Sequence, residues 1–498
     1  MTNDERIDMM KKYRKPLLCV ALLAGFAAYA AETSVDFTRE TGKINPALHS
    51  SGWTPRSCPR AIQNDDVAVK SMNFTYARTH DWALVNAGQR VVDYQYIFPL
   101  FGKDAKDPSN YYFEPTDHLL GLSRDVGLKI FYRLGTSIEH TGAKHFNAAV
   151  PKDFDKTAEI FAGIVRHYNK GWANGKHWNI EYWEIWNEPN GITNMWCDPD
   201  DTRDWGKDPD GDAKYNADRF NRLQASFAKF FVTCLKRLKN EFPEVKVGGP
   251  ALTRLNQDYF RAVLSECKEA GVAPDFISWH YYGADADDMI NDGKAARRLC
   301  DSFGFTKTEL ILNEWHYILS WDGIHGVNST PAMVKRALDG PTGHNNIDSA
   351  CFALSALEKF QFSEINQAYY YGCGHSGNWG YMDEYKMFNK PYYAMKLFGE
   401  IVKNFSTLCG LKEDGTLTTM GLKSAGGKNV AVLVTDYRGT DQVIKVLVKG
   451  AEAAKHVSAV VLDDTRDLFP VDVAWRNGEL TIVKADKNSA AYFVVFEL

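Results

Sequence analysis

Between about residues 44 and 405, short apolar runs of β character alternate with longer runs whose apolar residues recur at helical spacing. Eight runs of the first kind stand out: Ile44–His49, Phe74–His80, Lys129–Leu134, Ile180–Asn187, Val245–Gly249, Phe276–Tyr281, Glu309–Asn313 and Gln367–Tyr371. Helical segments fall between them: Asp65–Ser71, Asp117–Val126, Asp153–Tyr168, Tyr215–Phe242, Asp258–Ala270, Asp285–Phe303 and Asp348–Phe362, with Pro391–Ile401 after the last. Strands that alternate with helices predict a parallel sheet covered by helices. Eight pairs predict a closed (β/α)8 barrel, of the TIM type, over 44–405 rather than an open doubly wound sheet. The first run is not followed by Gly-x-Gly-x-x-Gly, which argues against a dinucleotide fold.

Beyond about residue 405 the texture changes. Thr416–Leu422, Asn429–Thr435, Gln442–Val448, Ser458–Leu462, Gly478–Ile482 and Ala490–Phe496 are short, β-rich and separated by turn signals such as Asn477-Gly478. They predict an antiparallel β-sandwich over 406–498, and Ser34–Thr38, within the stretch 31–43, is a candidate extra strand for it. No Gly/Ser-rich linker separates the two units, so rigid packing between them is expected.

The N-terminus has the layout of an export signal. Lys11, Lys12, Arg14 and Lys15 precede the apolar run Leu17–Ala28, and Ala28-Tyr29-Ala30 fits a cleavage site. The expectation is a signal peptide over 1–30, a mature chain from Ala31, and a secreted or periplasmic protein with no membrane attachment after cleavage. Cys19 lies inside the apolar run without the small residue that a lipoprotein site requires before it. Removal of the signal leaves eight cysteines, an even number that permits disulfides in an exported chain. Cys234, Cys267 and Cys300 fall in helical patterns, where a buried free thiol is the commoner state. No Cys-x-x-Cys pair is present, so a zinc ribbon is not expected.

A formal net charge of -5 without a basic stripe argues against nucleic acid as a partner. The 13 Trp and 24 Tyr suit carbohydrate, whose apolar ring faces stack on flat side chains, although most such residues in a large chain fill the core.

Barrel active sites gather at the C-terminal ends of the strands. The fourth run ends in Trp186-Asn187-Glu188-Pro189-Asn190, and the seventh in Asn313-Glu314-Trp315-His316. An ionised carboxylate after an aromatic run is poorly solvated, which suits Glu188 to carrying a proton near neutral pH. Strands four and seven lie across the barrel mouth from each other, so Glu188 and Glu314 can share one pocket. Two carboxyl groups that flank a bond are the requirement for glycosidic cleavage, and a separation of about 5–5.5 Å lets one of them attack with overall retention.

With these strings in view, the chain resembles glycoside hydrolase family 39, a retaining (β/α)8 family that includes β-xylosidases and α-L-iduronidases. Arg78-Thr79-His80, Trp186–Asn190 and Asp275-Phe276-Ile277-Ser278-Trp279-His280-Tyr281-Tyr282 carry the resemblance, which spans nearly the whole mature chain. Asn313 stands where a threonine is more familiar in that family. The resemblance implies a β-xylosidase-like enzyme that acts on extracellular glycans without a cofactor or metal, Glu188 being the acid/base and Glu314 the nucleophile. It further implies that Asn187 binds the sugar 2-hydroxyl, that Tyr282 orients Glu314, and that His80 and His280 bind hydroxyls. Trp379 then stacks on the sugar. A core or capping role is the competing account of each histidine, and plain packing that of Trp379.

Arg78 is the kind of residue that binds substrate or, more often, braces the carboxylates through the barrel core, and Arg133 invites the same bracing account. Glu139 and His140 follow on a loop within possible reach of substrate. Asp208-Pro209-Asp210-Gly211-Asp212 departs from EF-hand spacing and reads as a surface turn. A different sugar specificity and a catalytically silent carbohydrate-binding barrel are the alternatives. Loss of one carboxylate would be expected of a silent barrel, and both are present.

Overall fold

The structure, a computed structural model, describes residues 30–52, 66–80, 82, 90–139, 147–191, 195–198, 213–322, 330–340, 343–372, 379–382 and 387–498. Of the signal expected over 1–30, residues 1–29 lie outside the described residues, as do Cys58, His140, Asp208–Asp212 and Cys373; Ala30, expected as its last residue, opens a strand.

Eight parallel strands close into a barrel: Ser50–Ser51, Tyr76–Arg78, Lys129–Leu134, Tyr182–Ile185, Lys246–Leu252, Phe276–Gly283, Glu309–Tyr317 and Gln367–Tyr370. The eighth pairs with the first through Tyr369–Ser50 and Tyr370–Ser51. The first strand is a correction to the expected Ile44–His49. Asn45 accepts a bond from the Ala47 amide at 3.0 Å, and Pro46 opens a 3-10 turn through Leu48. Proline has no N–H to give a ladder, so the strand begins only after that turn.

The sixth and seventh strands are the longest of the barrel, at eight and nine residues, and stay paired as far as Gly283–Tyr317, with one register shift between Trp279 and His280. Amphipathic helices cover the barrel. Phe154–Lys170 is capped by the Asp153 carboxylate on the Lys156 amide (2.9 Å) and ends at a left-handed Gly171. It turns Ile160, Phe161, Ile164 and Val165 into the core. A helix over Pro331–Asp339, between strands seven and eight, was not anticipated.

The C-terminal strands form a seven-stranded antiparallel sheet, completed at its edge by Gly42–Lys43, packed against a four-stranded one. Thr407–Asp414, Asp467–Val471 and Ala474–Arg476 are additional to the predicted strands. Ala30–Asp36 joins the smaller sheet at its edge, pairing in parallel with Val443–Lys449, so the sandwich is not wholly antiparallel. A parallel pair needs a crossover, and here the entire barrel is inserted between the two partners.

Helix Ile347–Phe360 carries much of the contact between the units, and Lys390 at the start of the last helix adds an ion pair with Asp467 (2.7 Å). Ser355 bonds Thr418 (2.7 Å), and Thr435 donates to Glu358 (2.5 Å). Met420, Leu433, Leu462 and Ala491 of the sandwich belong to the same apolar cluster as the barrel core, which gives the rigid packing a physical basis.

Cys197, Cys234, Cys267, Cys300, Cys351 and Cys409 are all free and buried. Burial pushes the thiols of Cys197, Cys267 and Cys300 up to about 12, so they remain protonated. Among the described residues no helix is long and apolar enough to cross a membrane.

Candidate active site

Alternation along a strand sends every second side chain to the barrel axis. Near the start of the strands this produces an aromatic layer of Tyr76, Phe131, Tyr182, Phe276, Ile311 and Tyr369. Strand five contributes no side chain there. A Cβ on Gly248 would lie 2.1 Å from the Phe276 carbonyl oxygen, so only glycine lets the strands approach. Two residues further along come Arg78, Arg133, Glu184, Ser278, Asn313 and Tyr371.

Arg78 is the hub of this second layer. Its Nε donates to Glu184, one terminal nitrogen to Glu314 and the other to Asn187, each at 2.7 Å. Burial works against the guanidinium charge, but Glu184 and Glu314 outweigh it and keep Arg78 protonated. Glu184 also accepts from Ser278 (2.6 Å) and Asn313 (2.7 Å). Asn313, unusual beside the resembled family, therefore has a definite partner.

Asn313 is also where the seventh strand bulges. Trp279 pairs with Leu312 but His280 pairs with Glu314, so one residue is skipped. The skipped residue lets both Asn313 and Glu314 reach the axis and sends Trp315 outward against Phe360. At the end of strand four Trp186 is left-handed, with φ 73°. Its ring packs on Trp196 and Phe230 while Asn187 turns to Arg78. Glu188 is left-handed as well, at φ 45°, and its amide is bonded to the Ala251 carbonyl at 2.9 Å. Such backbone is strained for residues other than glycine and marks places where the fold imposes a direction.

The two carboxylates meet at His280. Oxygens of Glu188 and Glu314, together with a ring nitrogen of His280, lie within 4.8 Å of one another. His280 Nδ1 is 2.8 Å from Glu188 Oε1 and 3.2 Å from Glu314 Oε2. Burial pushes the imidazole down to about 4, so above that pH the ring is neutral. Between two acceptors, the single ring proton belongs on Nδ1. It damps the repulsion that would otherwise separate the carboxylates.

Glu314 accepts a second strong bond from Tyr282, at 2.6 Å. Burial raises Glu314 above its ordinary range, while His280, Arg78 and the Tyr282 hydroxyl pull it back. Tyr282 itself is pushed well up by burial and by Glu314, so it stays a phenol and a donor. His80 sits behind, its Nε2 3.9 Å from Glu314, and burial and Arg133 hold it neutral. Asn187 Nδ2 is buried without a hydrogen-bond partner among the described residues.

Glu188, His280 and Glu314 also have the spacing of a metal-ligand set. The chemistry is less suited to a cation. Glu314 already accepts N–H and O–H donors on both oxygens, one of them from a permanently charged arginine.

Trp379 forms part of an aromatic wall beside the carboxylates. Its ring lies 5.5 Å from Tyr282, 5.6 Å from Tyr371, 5.1 Å from His316 and 6.5 Å from Trp321. Trp321 remains 44% exposed. Of the sequence candidates, Asn187, Glu188, His280, Tyr282 and Glu314 converge directly, with His80 and Trp379 at the edges. Arg133 does not join them: it pairs with Asp93 at 2.7 Å and fixes the loop at Ser137. Glu139 accepts from the Asn147 and Ala148 amides, closing its own loop. Glu184, Ser278, Tyr371, His316 and Trp321 were missed. The two-residue spacing from Tyr182 to Glu184 and from Phe276 to Ser278 was the available signal for the first two.

No family model matches the chain. A β-xylosidase from Geobacillus stearothermophilus is 23% identical over 249 residues, which are 45% of this chain and 43% of that enzyme. The similarity therefore spans less than half the length of the relative. Among solved structures, a glucosidase from Croceicoccus marinus aligns over 94% of this chain and 99% of its own, with a TM-score of 0.68 at 18% identity. A family 51 α-L-arabinofuranosidase from Bifidobacterium longum aligns over 93% of this chain and 99% of its own, with a TM-score of 0.60 at 13% identity. At such identities the likeness is one of fold: a (β/α)8 barrel with an appended β-sandwich.

Proposed function

We propose that the protein is a retaining glycoside hydrolase, β-xylosidase-like, in which Glu314 is the nucleophile and Glu188 the acid/base. The observation that carries this reading is the pair of carboxylates whose oxygens lie within 4.8 Å, bridged by one neutral imidazole. That spacing leaves no room for a water between carboxyl group and sugar, as an inverting enzyme would need at about 6.5–9.5 Å. The similar β-xylosidase supports the choice of sugar.

In the first step a Glu314 oxygen attacks the anomeric carbon, the bond to the leaving oxygen breaks, and Glu188 gives that oxygen its proton. In the second, Glu188 takes a proton from water, the water oxygen attacks the same carbon, and Glu314 departs. Arg78 and Tyr282 hold the Glu314 carboxylate in place for attack. The open Nδ2 of Asn187 is suited to the sugar 2-hydroxyl, and His80 and His280 to neighbouring hydroxyls. Trp379 offers a face for the ring, and neither step requires a metal or cofactor. The reading places catalysis in 44–405, with 406–498 and a strand from 31–43 forming the sandwich, and puts the mature protein outside the cytoplasm. Amino-terminal sequencing of exported material should give Ala31.

Two single variants test the assignment with an aryl β-xyloside, alongside glucosides, galactosides, arabinosides and uronides. Glu314→Ala should be inactive on all of them. Glu188→Ala should form the glycosyl-enzyme from an activated aryl leaving group and then stall. Azide should release it as a glycosyl azide with the configuration of the substrate. Inverted product from the unaltered enzyme would overturn the mechanism, and inactivity across the panel would overturn the function.

A further inference from the structure

The sandwich reaches the ends of the two strands that carry His280, Tyr282 and Glu314. Strand Asn429–Asp436 ends in a turn containing Tyr437 and Arg438. The Tyr437 hydroxyl donates to the carbonyl of Ala284, immediately after strand six, at 2.9 Å. Arg438 donates to the hydroxyl of Tyr317, the last residue of strand seven, at 2.9 Å. Tyr317 lies three residues beyond Glu314, and Ala284 two beyond Tyr282.

The turn is itself held on several sides. The Arg438 amide donates to Ser489 (2.8 Å), and Ser489 to Asp348 at the start of the interface helix (2.6 Å). Buried Lys484 donates to Asp436 (2.5 Å) and to the Gly439 carbonyl (2.9 Å). Arg438 is left-handed, with φ 62°, and its guanidinium lies 5.0 Å over the Tyr437 ring. Surroundings that hold a non-glycine residue in this conformation fix where its side chain points. The two strands need such support, because the bulge at Asn313 interrupts their register between the core and the mouth.

The geometry points to Arg438 as a positioning residue for the carboxyl pair. Through Tyr317, and with Tyr437 at Ala284, it sets the spacing of the ends of strands six and seven, and so the reach of Glu314 relative to His280 and Glu188. The catalytic part of this inference rests on the function proposed above; the spacing itself does not.

Two readouts separate the proposal from a general loss of stability. The first is the titration of Glu188 and Glu314, followed by carbon-13 NMR of the carboxyl carbons and assigned with Glu314→Gln. The groups around them, Arg78, His80, His280, Tyr282 and Glu184, remain unchanged in every variant. Arg438→Ala should shift both titrations in a chain that is still fully folded by circular dichroism, Arg438→Lys should restore them in part, and Tyr317→Phe should reproduce the shift. The second is turnover. A small misplacement of reacting groups lowers rate more than binding, so Arg438→Ala should cut kcat about tenfold with KM within about twofold. The double variant with Tyr317→Phe should lose no more than either alone. Unchanged titrations in folded Arg438→Ala would overturn the proposal, as would additive losses in the double variant. If the unaltered chain hydrolyses no glycoside, the functional reading falls, and the titrations still decide this one.

Discussion

The two ends of the barrel interior are filled from the same six strands, the second to fourth and the sixth to eighth, and by opposite chemistry. One end is closed by Tyr76, Phe131, Tyr182, Phe276, Ile311 and Tyr369, with Tyr76 and Tyr182 edge to face at 5.8 Å. Two residues along, the other end holds Arg78 between Glu184, Asn187 and Glu314, with no side-chain exposure of Arg78 or Glu184. Close-packed rings gain from dispersion and burial and tolerate modest error. Buried ions gain only if every partner is in place, because an unpaired charge there is severely penalised. The aromatic floor thus supplies stability, and the polar layer spends some of it to aim two carboxylates.

The largest expected effect is at the hub of the polar layer. Arg78→Met strands two buried carboxylates, and losing one partner of a buried pair costs about 3–5 kcal/mol. Turnover should disappear with it, because Glu314 loses its anchor. Denaturant unfolding and aryl-glycoside turnover measure both, and a folded, active Arg78→Met would break the contrast.

The floor should respond differently. Phe131→Ala leaves a cavity among rings and should cost about 3–4 kcal/mol. Activity per folded molecule should stay near that of the unaltered chain, since the Phe131 ring packs on Tyr182, Phe276 and Tyr369 of the floor and its pairing with Arg78 is through the backbone, which the substitution keeps. A loss of kcat without a loss of stability would mean that the floor also positions the polar layer.

Legibility followed the same division. Alternating β and helical patterns expose the barrel because burial on a periodic face leaves its period in the sequence, and the motif strings expose Glu188 and Glu314. The bulge at Asn313 has no such trace. One skipped residue looks like any other, yet it decides that Glu314 and not Trp315 faces the axis. The left-handed Trp186 and Glu188 are equally silent, since neither is the glycine or asparagine that usually marks this backbone. The turn at Pro46 was readable but was overridden by the apolar character of Ile44–His49. Arg133 was misassigned because its neighbour Asp93 arrives from a loop that periodicity does not describe.

Within the polar layer, Tyr282 allows a finer test. Its hydroxyl gives Glu314 one of two strong bonds, and a hydrogen bond to a charged group is worth about 1.5–3 kcal/mol. Tyr282→Phe should therefore slow turnover about 30-fold, or ~2 kcal/mol in the barrier, with little change in unfolding. Unaltered kinetics would mean that the Tyr282 bond is not needed to hold Glu314.

A third solution to burying a carboxyl group lies at the seam between barrel and sandwich, and it sharpens the comparison with the smallest effect. Glu184 is compensated by Arg78, whereas Glu358, equally buried, accepts from Thr435, and its Oε2 has no partner among the described residues. Burial holds Glu358 well above the ordinary carboxylate range, so in the folded protein it keeps its proton. In the unfolded chain the proton leaves near the ordinary value of 4.5. A raised folded value means that the folded state binds more protons. The stabilisation is complete below that ordinary value and is lost as pH rises from it toward the higher folded one. Glu358→Gln is isosteric with the protonated acid and cannot titrate. The two proteins should be similarly stable near pH 4, after which the unaltered chain should lose about 1 kcal/mol per pH unit relative to the variant. Denaturant unfolding at pH 4, 5.5 and 7 measures the divergence. Parallel stability curves would show that Glu358 ionises at no cost, and that the seam is solvated rather than dry.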